Sequence, residues 1–143
     1  SNSFTANKGK LPWPVSEGVI VSNFGNNRHP TLPNVIVENN GIDISTKKGN
    51  IGRSSFSGTI INIVTIPGQG KMVLVNHGEY FTTYSPFKEV FVSSGDKLTT
   101  KQDLGVLMNE SGENTSTMHF EIWKAQGSGK AIKLNPASWI YKN

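Results

Sequence analysis

Two short segments carry the side chains of this chain best suited to metal chemistry, Asn39-Asn40-Gly41-Ile42-Asp43 and Thr117-Met118-His119-Phe120-Glu121. A catalytic zinc takes three protein ligands, leaves one position open for water, and relies on nearby basic groups to handle the proton of that water. The two segments offer a carboxylate at Asp43 and an imidazole at His119, both of which suit the ion. Asn39 and Thr117 do not. An amide oxygen is a far poorer ligand than imidazole for a borderline-soft cation, and a threonine hydroxyl is no base near neutral pH. The chain has no cysteine, which removes thiolate sites and disulfides alike. The two other histidines, His29 in Arg28-His29-Pro30 and His77 before Gly78, lack ligand spacing to Asp43 or His119 and read as turn or cleft-wall residues.

The elements that must position these groups read as strands. Short β-branched and aromatic runs recur between turn residues: Val19-Ile20-Val21, Val35-Ile36-Val37, Ile42-Asp43-Ile44, Thr59 to Ile66, Met72 to Val75, Tyr80 to Tyr84, Val90-Phe91-Val92, Leu104 to Met108 and His119 to Trp123. Pro67-Gly68-Gln69-Gly70 and Ser94-Gly95-Asp96-Lys97 read as tight turns. No amphipathic stretch reaches ten helical residues. The one helical signal is Asn135-Pro136-Ala137-Ser138-Trp139, a capping Asn followed by a first-turn Pro.

Composition narrows the classes. At 143 residues, 35% hydrophobic and 17% charged, the chain is long enough for one core and is neither a membrane span nor a disordered segment. The net charge of +4 comes from scattered lysines without a basic stripe, which excludes a nucleic-acid interface and leaves a mild attraction to an acidic cell wall or protein. A carrier domain of the lipoyl type needs an exposed hairpin lysine in its own motif. Lys71-Met72 lacks that context.

Order and spacing along the chain carry a further signal. Leu11-Pro12-Trp13-Pro14-Val15, Phe24-Gly25, Arg28-His29-Pro30, Gly41-Ile42-Asp43-Ile44, Lys48-Gly49-Asn50-Ile51, Ser57-Gly58-Thr59-Ile60, the run from Gly70 to Gly78, Tyr84, Gly95, Gly105 and His119-Phe120-Glu121-Ile122 together resemble the LytM-type, lysostaphin-like metallopeptidases that cut peptidoglycan. The resemblance implies an all-β fold: one LytM/lysostaphin-like, barrel-sandwich-like antiparallel sheet domain over residues 11–143, closed by a short helical turn. Residues 1–10 are then expected to be a tag remnant and linker.

The resemblance also assigns roles, and several are vacated. Asp43 stands at the family's aspartate ligand and His119 at its third ligand, while Asn39 replaces the first histidine ligand. Thr117 replaces the histidine that opens the late motif, and Pro86, in Tyr84-Ser85-Pro86-Phe87, replaces a further catalytic histidine. Loss of a general base alone costs about 10²–10⁴-fold in rate. The expectation is a domain without zinc or another cofactor, in which Asp43 and His119 persist as a hydrogen-bonded pair.

Degenerate domains of this kind resemble the EnvC-like murein hydrolase activators, which switch on cell-wall amidases. That likeness implies an exported, periplasmic or envelope protein, with a coiled coil preceding the domain in the full-length form. Its groove, walled by Phe24, Arg28, Tyr84 and His119, would receive a segment of an amidase. A residual zinc endopeptidase and a passive peptidoglycan-binding module are the alternatives.

Overall fold

The β-branched runs fold as strands and pair antiparallel into a sheet that wraps most of the chain. The structure is a computed structural model and describes residues 2–142. After one helical turn, α1 (Asn2–Ala6), come β1 (Val19–Ser22), β2 (Gly25–Arg28), β3 (Ile36–Asn39), β4 (Ile42–Lys47), β5 (Ile51–Arg53), β6 (Gly58–Ile66), β7 (Gly70–Asn76), β8 (Tyr80–Val90), β9 (Lys97–Leu98), β10 (Asp103–Leu107), β11 (Thr115–Ala125) and β12 (Ala131–Leu134). The main sheet runs β1-β4-β11-β8-β7-β6-β9, with β12 on β11 and β10 bridging β8 to β5; β2 and β3 form a separate hairpin. No helix among the described residues is long and apolar enough to cross a membrane.

Four of these strands, β2, β5, β9 and β12, lie outside the expected runs. Gly25-Asn26-Asn27-Arg28 has no β-branched residue, and its strand exists because β3 supplies the partner edge. Conversely, Phe91 and Val92 lie beyond the end of β8 at Val90. The expected turns are in place. Gly68 and Gly70 flank the β6–β7 reversal with φ of 73° and 80°, backbone that an L side chain rarely adopts. The closing turn is a 3-10 helix over Pro136–Ser138, capped by the Asn135 side chain, which accepts from the Ala137 amide.

The core gathers Ile42, Ile44, Val73, Val75, Phe87, Leu104, Leu107, Met118, Phe120 and Ile122, all fully buried. Residues 2–10 do not behave as a bare linker. Phe4 is fully buried and stacks on Tyr80 at 4.7 Å between ring centroids, with His77 and Trp139 at 4.9 and 5.2 Å. The segment thus closes one end of the core.

Beneath Phe4 runs a buried polar chain. The Ser55 amide donates to the Tyr84 hydroxyl at 3.0 Å, Tyr84 and Thr82 hydroxyls lie 2.8 Å apart, and Thr82 lies 2.7 Å from His77 Nε2. His77 Nδ1 faces the Ser57 carbonyl at 2.8 Å and so carries the ring hydrogen. Tyr84 is therefore a core residue and forms no part of a groove wall, which corrects the sequence expectation. Tyr84→Phe should strand the Ser55 amide and destabilise the domain by about 1–3 kcal/mol. Urea unfolding with an unchanged m-value would show it.

Candidate functional site

Strand β11 builds the site through the two-residue period of a pleated chain. Ser116, Met118, Phe120 and Ile122 point into the core, so Thr115, Thr117, His119 and Glu121 share the opposite face. Register then selects their neighbours. His119 lies directly opposite Asp43 on β4 and Ser85 on β8, and Thr117 lies opposite Ser45. Gly41 lets β4 come this close, because its Cα approaches the Phe120 carbonyl with no room for a side chain.

A closed set of hydrogen bonds occupies this face. His119 Nδ1 donates to Asp43 Oδ1 at 2.8 Å, and Nε2 donates to Glu121 Oε2 at 2.6 Å. A ring that meets a carboxylate at each nitrogen is an imidazolium. Burial pushes His119 down, but the hydrogen bonds and charges of Asp43 and Glu121 outweigh it and hold the group up at about 9. Burial likewise pushes Glu121 up, and the bonds from His119 and Trp123 outweigh that and hold its carboxyl below the ordinary range. The second oxygen of Asp43 accepts from Asn39 Nδ2 at 3.0 Å, which also reaches Ser22 Oγ, while Asn39 Oδ1 accepts from the Gly41 amide at 3.1 Å.

This donor set does not fit a three-ligand zinc centre. Both nitrogens of His119 are spent as donors, and the Asn39 oxygen is turned onto the backbone. Among the described residues no group of three His, Cys, Asp or Glu side chains is placed to hold a metal ion. The Asp43–His119 hydrogen bond expected from the sequence is present.

In front of this set lies a groove of about 620 Å³, within the size range of ligand pockets. Asp43, Pro86, Thr117 and His119 line it, so the fold brings together four of the positions named from the sequence. Asn39 sits behind Asp43, buried to 7% exposure. Phe24 is half-buried against the core and Arg28 is exposed at the end of β2, and neither lines the groove. His29 is a turn residue whose Nδ1 accepts from the Thr31 and Leu32 amides.

Sequence reasoning missed Glu121 as a partner of His119, although its place two residues on along a strand puts it on the same face. It also missed Ile66, Gln69, Met108, Glu110 and Glu113. Only the acidic pair in Glu110-Ser111-Gly112-Glu113 left a sequence trace.

Fold and site together define a lysostaphin-like β-sheet domain in which Asn39, Asp43, His119 and Glu121 are joined by an internal hydrogen-bond set. The profile of peptidase family M23 matches residues 37–136, and the chain belongs to that family. It is 31% identical to stage II sporulation protein Q of Bacillus subtilis over 78% of this chain and 40% of that protein. It is 26% identical to the peptidoglycan DD-endopeptidase ShyA of Vibrio cholerae over 86% of this chain and 29% of that protein. Among solved structures, the SpoIIQ-SpoIIIAH pore forming complex superposes with a TM-score of 0.70 and 25% identity, covering 94% of this chain and 93% of that one. The chain spans well under half the length of these two full-length relatives.

Proposed function

We propose that this chain is a non-catalytic M23-family domain of the cell envelope that binds a protein partner through its groove. In this reading the partner is a peptidoglycan (N-acetylmuramoyl-L-alanine) amidase, which the domain switches on during cell separation as EnvC-like activators do. The observation that carries the reading is the closed set around Asp43. Asn39, Asp43, His119 and Glu121 satisfy one another. Thr117 and Pro86, where the family places its other histidines, supply no base to activate water. The groove persists in front of this set. Activation would follow from differential affinity: an amidase segment that blocks its own active site shifts to the open state when the groove holds it.

A second reading has its own support. The SpoIIQ-SpoIIIAH complex places a domain of this fold against a protein partner in an assembly. A partner of that kind would be an assembly protein, not a hydrolase.

The test is dye release from labelled peptidoglycan by a zinc amidase, with and without the domain. The domain alone should release nothing, and the mixture should exceed the amidase alone. Release by the domain alone that carries stoichiometric zinc and disappears in His119→Ala would establish the endopeptidase instead. Sedimentation with sacculi and no change in amidase rate would establish a passive wall-binding module. Stable binding to an envelope protein without amidase stimulation would favour the assembly reading.

A further inference from the structure

The groove is negative on a chain that is positive overall. Four carboxylates belong to it or stand directly behind it, Asp43, Glu110, Glu113 and Glu121, against the single imidazole of His119. The sign is the same whichever form His119 takes. None of the 14 lysines and arginines lines the groove. Asp43 and Glu121 are engaged with His119, whereas Glu110 and Glu113 make no ion pair among the described residues. They sit exposed on the loop between β10 and β11, at the groove margin.

The remaining lining adds an apolar component. Ile66 from β6, Pro86 from β8 and Met108 just after β10 present hydrocarbon and a thioether to the same space. Met108 is tied to the strand carrying Pro86, its amide donating to the Pro86 carbonyl at 3.0 Å. Thr115 and Thr117 contribute hydroxyls between the acidic and apolar groups. A groove of this make-up matches a segment with a cation beside an apolar side chain, and it repels an anionic one.

The geometry points to a cationic peptide as the occupant: an extended segment of the partner with lysine or arginine facing Glu110 and Glu113, and an apolar neighbour against Pro86 and Met108. This rests on the docking reading above and gives it a chemical class of partner. An anionic wall polymer is disfavoured at this site by the same charges. Two carboxylates around one cation also speed encounter at low salt, so binding should weaken as salt rises.

Two synthetic peptides test the assignment against the isotope-labelled domain, one alternating lysine and leucine and one with glutamate for every lysine. The lysine peptide should shift the Gln69, Thr115 and Thr117 amides, and the glutamate peptide should leave them in place. The double variant Glu110→Gln/Glu113→Gln should bind the lysine peptide about tenfold more weakly and lose most of the salt dependence. Both positions are exposed, and an unchanged thermal melt confirms the fold of the variant. Equal shifts from both peptides, or unchanged affinity in the double variant, would overturn the proposal. A groove-filling variant, Thr117→Trp, separates it from the docking reading in the amidase assay. Stimulation lost in Thr117→Trp but kept in the double variant sinks the cationic occupant and leaves groove docking standing; stimulation kept in Thr117→Trp removes groove docking itself.

Discussion

Gly41→Ala is expected to destabilise the domain by about 3 kcal/mol, at the upper end of overpacking costs, and to lower the melting temperature by roughly 10 °C. A methyl built on Gly41 would lie 2.1 Å from the Phe120 carbonyl oxygen, 2.9 Å from its carbon and 2.8 Å from Glu121 Cγ. Two of these atoms are backbone of the central strand, which cannot rotate aside, so β4 must move off β11. That movement also separates Asp43 from His119. Because Gly41 does not have positive φ, alanine suffers no backbone penalty there and the whole effect is lack of space. Calorimetry measures the stability loss, and the His119 ring resonances report the broken pair. A melt within 2 °C or so of the parent would refute the steric account.

Stability should peak near pH 6.5 and fall on both sides, for two opposite reasons. His77 is buried, and burial pushes its pKa down to about 4, with the bond to the Ser57 carbonyl opposing. Above its ordinary value of 6.5 the ring is neutral in both states and contributes nothing. As pH falls from 6.5 to about 4, the unfolded chain takes up a proton that the folded chain refuses, and up to about 3 kcal/mol is lost. His119 acts the other way. Its folded value of about 9 means the folded state holds a proton that the unfolded state releases above 6.5. That contribution is complete below 6.5 and disappears as pH rises through 9. His119 keeps 29% of its side-chain surface exposed, so its share is smaller than that of His77. Glu121 deepens the acid limb, since a carboxyl held low stabilises above its ordinary value and stops doing so as pH falls through the folded one. Urea unfolding between pH 4 and 9 measures the profile. His119→Gln should flatten the alkaline limb and leave the onset of the acid limb in place; an unchanged alkaline limb would show that the ion pairs contribute nothing.

The long strands and the site face were legible because they rest on local rules. β-branched runs announced β4, β6, β7 and β11, and alternation along Thr117, His119 and Glu121 fixes a shared face once β11 is a strand. What could not be read is set by pairing over distance. The short strands β2, β5, β9 and β12 are strands only because another edge is present. Tyr84 looked like a groove residue because an aromatic near a motif has no mark of depth. Its burial follows from the chain of hydroxyls linking Ser55, Thr82 and His77, which lie up to 29 residues away. Phe4 in the core, and the turn of the Asn39 amide oxygen onto the Gly41 backbone, are likewise properties of packing and not of spacing.

Strand β11 separates two kinds of information by parity. Its even positions, 116 to 122, specify how the sheet closes on itself, and of its odd positions 115, 117 and 119 line the groove while Glu121 stands against His119. Changes at Thr115 and Thr117, both exposed, reach the groove and leave the interior undisturbed, whereas His119 and Glu121 are tied into ion pairs that stabilise the fold. A lineage can therefore rewrite the recognition properties of this surface at Thr115 and Thr117 without first solving a folding problem. For protein engineering, Thr115 and Thr117 form a natural pair of positions for drawing new binding specificities from an unchanged scaffold.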